Sequence, residues 1–407
     1  MTSAPRRRLR LTAPELPLRL ASDLIPSTLA RLIASGAAET QSELITLTGL
    51  ARSSCASTIT GLLDAGVLRP AGLKVRPGRG RPSQRLALSA SLGTVLVVDL
   101  RPESARLTVH DLGQRLLAQD ELRLDIIDGP GATVRLITEA ASRLRASITE
   151  LPDGDLPGPL RAAAVGVPAP VDPARGICVR PPIMPGWDGF GVSEALSSMW
   201  GCPVVVQNDS TLRSLGEARY LPPDQSPLVF IDAGIGIGAG VITETGAQYL
   251  GAQGGAGDIG HTRVPGGRDD PCTCGKTGCV ESVASAPAIL RRLGGAAPSD
   301  LPALYAAIGT GAPEVIRVLR EAAEALGEAI ANLVHLLNPA RVTLNGPLVE
   351  ASDDVLAVVR GVVYQRALPL STRSLVINPS ALGSDAATSG GVVLATEHAL
   401  DALRVPG

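Results

Sequence analysis

His261, Cys272, Cys274 and Cys279 are the residues of this chain best suited by type and spacing to do chemistry. An imidazole nitrogen and three thiolates at these spacings can complete a tetrahedral ligand set for Zn²⁺. The spacing is Cys-x-Cys-x4-Cys with the histidine eleven residues upstream, and Gly275 and Gly278 let the backbone fold round a metal. The bland alternative is three ordinary cysteines in a loop. Against it, half of the six cysteines fall within eight residues, a density that favours shared ligation. No apolar run approaches the roughly 20 residues that span a bilayer. The basic start Met1–Arg10 is not followed by the apolar stretch of a secretory signal. A cytoplasmic protein is therefore expected, with no membrane partner, and in that compartment clustered cysteines read as metal ligands rather than disulfides.

Two further segments bear on the same loop. Gly257-Asp258-Ile259-Gly260-His261 precedes Cys-x-Cys-Gly-x-x-Gly-Cys-x-Glu, ending at Glu281, and Gln207-Asn208-Asp209 leads into Gly216-Glu217-Ala218. Together they resemble the signature of the ROK family of repressors, open reading frames and sugar kinases, over roughly residues 20 to 400. The resemblance implies that His261 ligates a structural zinc and lies beside a sugar. It further implies that Asp209 holds the position of the kinases' general base and that Asn208 contacts the sugar. Read from the residues alone, Asp209 precedes a helix and is equally suited to cap it, so both roles stay open. Two positions depart from the pattern: Asp258 replaces the usual glutamate, and Ile183 in Pro182–Trp187 replaces a sugar-contacting asparagine. The expected ligand set is Asn208, Asp209, Asp258, His261 and Glu281, for a sugar or sugar-phosphate effector of altered specificity.

The nucleotide side reads differently. Kinases of the family carry Asp-x-Gly-Gly-Thr-Lys, whose backbone N–H groups cradle phosphate. Here the corresponding stretch is Asp99-Leu100-Arg101-Pro102-Glu103-Ser104, without glycine, with a proline that lacks an N–H, and with an added carboxylate. The second loop, Asp232 to Gly240, keeps its glycines but has Ile235 in place of threonine. Glycines can persist there for turns and close packing alone. These losses point away from catalysis, so no catalytic residue is assigned.

The elements that must position these groups fall into two parts. Residues 1–90 carry thirteen Lys/Arg and five Asp/Glu, a net +8, which leaves −10 for the remainder of a chain whose total is −2. A basic module on an acidic body suggests that one part meets nucleic acid. Leu24–Ala34 shows a helical apolar stripe, Thr40–Glu43 reads as a capping box for a helix through Leu47, and Thr48-Gly49 is a turn. A third helix over about Ala51–Ala65 begins with Arg52, Ser53, Ser54, Ser57 and Thr58. That order describes a helix-turn-helix, with small polar residues offered to the major groove. Leu73–Leu88 reads as a hairpin whose tip, with Arg79 and Arg81, resembles the wing of a winged helix. A protein-docking bundle with a basic linker is the competing reading.

From Leu92 onward strands alternate with helices. Val95–Asp99, Arg106–His110, Ala162–Val167, Leu228–Asp232, Gly238–Thr243 and Val342–Leu344 read as strands, and Thr133–Ile148 and Glu314–Leu337 as helices. The resemblance implies an α/β fold: an N-terminal winged helix-turn-helix followed by a two-lobed, actin-like sugar-kinase (ribonuclease H-like) body. The expected division is a basic tail over 1–20, a DNA-binding domain over 21–90, lobe 1 over 91–205, lobe 2 with the zinc loop over 206–384, and a C-terminal helix over 385–407 returning to lobe 1. The function expected is a transcriptional repressor of carbohydrate genes, binding a double-stranded operator as a homodimer or homotetramer. An ATP-dependent sugar kinase and a ligand-blind regulator are the alternatives.

Overall fold

The computed structural model describes residues 9–14, 16, 20–74, 83–151, 156–264, 269–295 and 298–403. Its first helix, α1 (Ile25–Ala34), follows a 3-10 turn at Ser22–Leu24 and buries the expected stripe through Leu29, Leu32 and Ile33. Thr40 Oγ1 accepts the Glu43 N–H at 3.4 Å and so opens α2 (Gln41–Thr48). The return bond of the capping box is displaced by one residue, because Glu43 Oε2 accepts from the Glu39 N–H at 2.9 Å rather than from Thr40. Gly49, left-handed at φ 67°, closes the turn before α3 (Arg52–Asp64). α3 buries Cys55, Ile59 and Leu62, which leaves Arg52, Ser53, Ser54 and Ser57 exposed and Thr58 half-buried.

The hairpin begins earlier than the sequence suggests. β1 (Leu68–Lys74) pairs antiparallel with β2 (Ser83–Leu88), starting at Leu68↔Leu88. Pro70 disguised the first strand, but the pairing is irregular between Pro70 and Leu73, where a missing N–H is tolerated. The tip with Arg79 and Arg81 lies outside the described residues.

Two sheets form the body. β3 (Thr94–Leu100), β4 (Ser104–Asp111), β5 (Leu116–Arg123), β6 (Leu160–Val167) and β9 (Val204–Asn208) stand in the order β5-β4-β3-β6-β9. β3, β6 and β9 run parallel, with β4 antiparallel between β3 and β5. Short strands β7 (Val171–Asp172) and β8 (Ile177–Cys178) pair separately. α4 (Pro130–Ala146) and α5 (Val192–Trp200) pack with this sheet. The second sheet has the order β11-β10-β12-β13, built from β10 (Leu228–Ala233), β11 (Ile237–Ile242), β12 (Arg341–Asn345) and β13 (Val376–Pro379). The helices of that half are α7 (Val280–Ala284), α8 (Ala286–Arg292), α9 (Leu301–Gly309), α10 (Pro313–Leu337), α11 (Pro347–Ala351), α12 (Asp353–Arg366) and α13 (Pro369–Thr372).

Two helices join the halves. α6 (Asp209–Tyr220) packs on β10 and β11, while α14 (Ala386–Asp401) packs on β3, β6 and α6. The two helices cross with their backbones touching: a Cβ at Gly216 would fall on the Ala386 carbonyl oxygen, and one at Gly390 on that of Leu212. Glycine is required at both positions because nothing larger fits.

The same helices carry the N-terminal module. One apolar core runs from Leu29, Leu44 and Leu62 through Leu88 and Leu92 into Leu212, Val393 and Leu400. Arg31 pairs with Asp401 of α14 at 2.8 Å. Residues 9–12 lie across the body, with Arg10 Nη2 donating to the Ala218 and Leu221 carbonyls at 2.5 and 2.6 Å and Arg219 donating to Thr12 Oγ1 at 2.5 Å. The C-terminal end of α6 is thus capped by residues that precede α1 in the chain.

Glu217, fully buried in α6, accepts from Ser380 Oγ and the N–H groups of Ala381 and Leu382, at 2.8, 2.8 and 3.3 Å. Removing a buried charged acceptor leaves the Ser380 hydroxyl and the Ala381 N–H unpaired, while the Leu382 N–H keeps Ser380 Oγ at 3.2 Å, so Glu217→Ala should cost about 3 kcal/mol. A urea unfolding curve would read this as a lower midpoint. An unchanged midpoint would show that the bonds contribute little.

Candidate functional site

The Asp258–Glu281 loop brings the four predicted ligands together. The donor atoms of His261, Cys272, Cys274 and Cys279 all lie within 4.8 Å of one another, a group that can hold a metal ion. Local turns arrange this: Cys272 N–H donates to the Lys276 carbonyl and Gly275 N–H to that of Cys272, while Val280 N–H reaches back to Thr262. Cys274 Sγ and Cys279 Sγ are 3.8 Å apart, and Cys272 Sγ is 3.5 Å from His261 Nδ1. Tetrahedral Zn–S and Zn–N bonds of about 2.3 and 2.0 Å give edges of about 3.8 and 3.5 Å, so these two edges fit zinc. Burial, with hydrogen bonds from its cysteine neighbours, pushes the Cys279 thiol up to about 12. Zinc would have to displace that proton.

Around the cluster the predicted ligand residues have partners already. Asp258, half-exposed, places Oδ1 4.0 Å from His261 Nε2. Glu281 accepts from the Ile237 N–H at 3.1 Å and from Thr273 Oγ1 at 3.3 Å. It therefore fastens the metal loop to the glycine-rich turn between β10 and β11. The glycines of that segment serve close packing. Gly238 and Gly240 abut Ser210 and Ser214 of α6, and the carbonyls of Ile237 and Ala239 abut Gly260 and Gly257. β11 thereby connects the Asn208-Asp209 segment to the metal loop.

Asn208, and not Asp209, caps α6. Its Oδ1 accepts from the N–H groups of Ser210 and Thr211, and its Nδ2 donates to the Ala169 carbonyl. The cap falls one residue earlier than the sequence pattern places it, because β9 runs through Asn208 and the helix begins at Asp209 itself. Asp209 shares the Ser210 N–H through Oδ1 at 2.8 Å, and its Oδ2 receives Arg213 Nη1 at 2.8 Å. The same guanidinium reaches Asp232 Oδ2 at 2.6 Å and lies 3.6 Å from Asp99 Oδ1. Burial above all raises the pKa of Asp209; Arg213 opposes this, and Asp232 and Asp99 add to it. Burial alone would weaken the Arg213 charge, but Asp232, Asp209 and Asp99 outweigh it and raise its pKa. Sequence reasoning missed Arg213, although its i,i+4 spacing from Asp209 was a usable signal.

The first loop holds no open backbone cradle. Residues 101–104 form the tight turn between β3 and β4, with Arg101 N–H bonded to the Ser104 carbonyl at 2.8 Å. The Arg101 side chain folds onto Asp99 Oδ2 at 3.0 and 2.8 Å and onto Glu121 at 3.4 Å. Ile183 packs against the apolar core of the first lobe.

In the basic module, part of the positive charge is spent internally. Lys74 pairs with Glu39 and Glu43, and Arg85 with Glu39. Hydrogen bonding from Lys74 holds the Glu43 carboxyl down at about 2. Arg52, at the exposed start of α3, is left facing solvent.

A family model described as the ROK family matches residues 138–398. The chain belongs to the ROK family. Its relatives include a protein named xylose repressor from Caldicellulosiruptor bescii, 25% identical over 331 residues, covering 77% of this chain and 81% of the relative. A glucokinase from Halalkalibacterium halodurans is 31% identical over 226 residues, covering 51% of this chain and 67% of its own. Among solved structures, a ROK family transcriptional regulator described as a homologue of the Escherichia coli MLC protein matches with a TM-score of 0.76. It is 23% identical and covers 93% of this chain and 97% of its own, a likeness of fold that extends through the N-terminal helices. The body thus has the sugar-kinase-like ROK fold.

Proposed function

We propose that this chain is a sequence-specific transcriptional repressor of carbohydrate uptake or catabolism genes, with zinc as a structural metal and no phosphoryl-transfer activity. The observation that carries the reading is the single apolar core joining the helix-turn-helix to the ROK body. A DNA-binding module fused in this way can respond to any shift between the lobes. Arg52, Ser53, Ser54, Ser57 and Thr58, with Arg79 and Arg81 from the hairpin tip, would contact the operator; small polar side chains and arginines suit phosphates and base edges. The relative named xylose repressor aligns over most of this chain, which supports a sugar-responsive repressor over a kinase. His261, Asp258, Glu281, Asn208 and Asp209 would border the effector, a sugar or sugar phosphate. A homodimer or homotetramer in the cytoplasm would present two modules to a symmetric or repeated operator. No helix among the described residues is long and apolar enough to cross a membrane.

The effector acts by population shift, so it must bind one lobe arrangement more tightly than the other. His261, Cys272, Cys274 and Cys279 would hold zinc, which supplies a fixed fold to the loop and positions His261 and Glu281. The engaged Arg101 and Pro102 leave the first loop without a phosphate cradle. A coupled assay with Mg-ATP and common hexoses is expected to show no sustained turnover. Turnover that disappears in Asp209→Asn would replace the repressor reading with a kinase one.

A further inference from the structure

Asp99 closes β3 in the first sheet, Asp232 lies on β10 in the second, and Asp209 opens the helix between them. One guanidinium, that of Arg213, meets all three. Three carboxylates this close repel one another unless a cation stands among them. Such oxygen clusters ordinarily take a hard divalent ion. Here the cluster is still short of donors: Asp99 is 1% exposed and its Oδ1 has no hydrogen-bond partner, and the same holds for the buried Oδ1 of Asn345, whose Nδ2 donates to Asp232. Asp99 Oδ1 lies against Arg213, and Asn345 reaches the cluster through Asp232.

We propose that Arg213 is an internal cation occupying the seat a divalent metal would otherwise take among Asp99, Asp209 and Asp232. The guanidinium is tethered to α6, so together with Arg101, which pairs with Asp99 from the rim at 2.8 Å, it permanently offsets most of the site's negative charge and ties the strand ends of the two sheets together without any ligand. A metal–nucleotide entering this cleft would have to expel a buried, triply paired arginine. The arrangement deepens the proposed loss of phosphoryl transfer and rests on that reading for its functional meaning. The seat itself is a separate matter that can be tested without nucleotide or sugar.

The experiment is a Mn²⁺ titration of zinc-loaded full-length protein, followed by the loss of the free-ion paramagnetic resonance signal and by melting temperature. Zinc keeps its own site during the titration because it outcompetes Mn²⁺ for thiolates. Wild type should take up no Mn²⁺ at the cleft and melt unchanged. Arg213→Ala should bind about one Mn²⁺ per chain, at least tenfold more tightly than wild type, and gain melting temperature with the metal. Arg213→Lys, which restores one positive charge, should return to the wild-type response. If the alanine variant does not fold, Arg213→Gln receives the same titration, since it keeps length and N–H donors. Folded Arg213→Ala or Arg213→Gln without Mn²⁺ uptake would overturn the proposal, as would equal uptake by wild type. Kinase turnover by wild type would sink the repressor reading and leave the Mn²⁺ result standing on its own.

Discussion

Cys274→Ser is expected to reduce bound zinc from about one per chain to near none and to destabilise the body sharply. Thiolate–zinc bonds contribute folding free energy directly, because the four ligands are assembled only in the folded loop. The loop also holds Glu281 against the Ile237 N–H and Gly257 and Gly260 against β11, so its collapse would reach the second sheet. A loss of about 4 kcal/mol, or roughly 10 °C in melting temperature, is a reasonable scale for a body of this size. Metal analysis after gel filtration reads the first effect and calorimetry the second. Cys178→Ser, at a buried cysteine outside the cluster, should keep its zinc. Protons compete with zinc for His261 and the thiols, so stripping by a chelator should become easier as pH falls. Full zinc content in Cys274→Ser would remove that residue from the ligand set.

The second large effect concerns DNA. Arg79→Ala with Arg81→Ala is expected to weaken operator binding on the order of tenfold or more, and to reduce the salt dependence by about one unit of log–log slope for each phosphate no longer neutralised. Arg52→Ala should behave differently, relaxing sequence preference if it reaches a base edge or lowering the slope by about one if it meets a phosphate. Fluorescence anisotropy over a salt series separates the two. An unchanged slope in the double variant would take the hairpin tip out of the interface and leave α3 alone. Lys74 and Arg85 are poor candidates for the same experiment, since Glu39 and Glu43 already engage them.

Much of this was legible in the sequence because the relevant patterns are local. β3 and β6 are nearly continuous apolar runs, as strands buried on both faces must be, and α10 carries a long periodic stripe. The metal cluster could be read because its spacing fixes its chemistry. β5 was not, since Leu116–Arg123 is an edge strand whose central Gln119-Asp120-Glu121 run interrupts its apolar residues. The helix after Asp209 was expected but its burial was not, because Arg219, Glu217 and Ser214 are polar in sequence yet buried in the fold. The role of Arg213 depends on Asp99 and Asp232, which only the juxtaposition of the two sheets brings to it. Asn208 and Asp209 are equally good caps by type, and the end of β9 decides between them.

The central claim, a sequence-specific regulator, is tested most directly by selecting genomic DNA fragments with the zinc-loaded protein at near-physiological salt. The account predicts enrichment of a compact motif, symmetric or repeated at a fixed spacing, beside genes for sugar uptake or breakdown. Recovery of DNA without any shared motif, lost uniformly as salt rises, would contradict it.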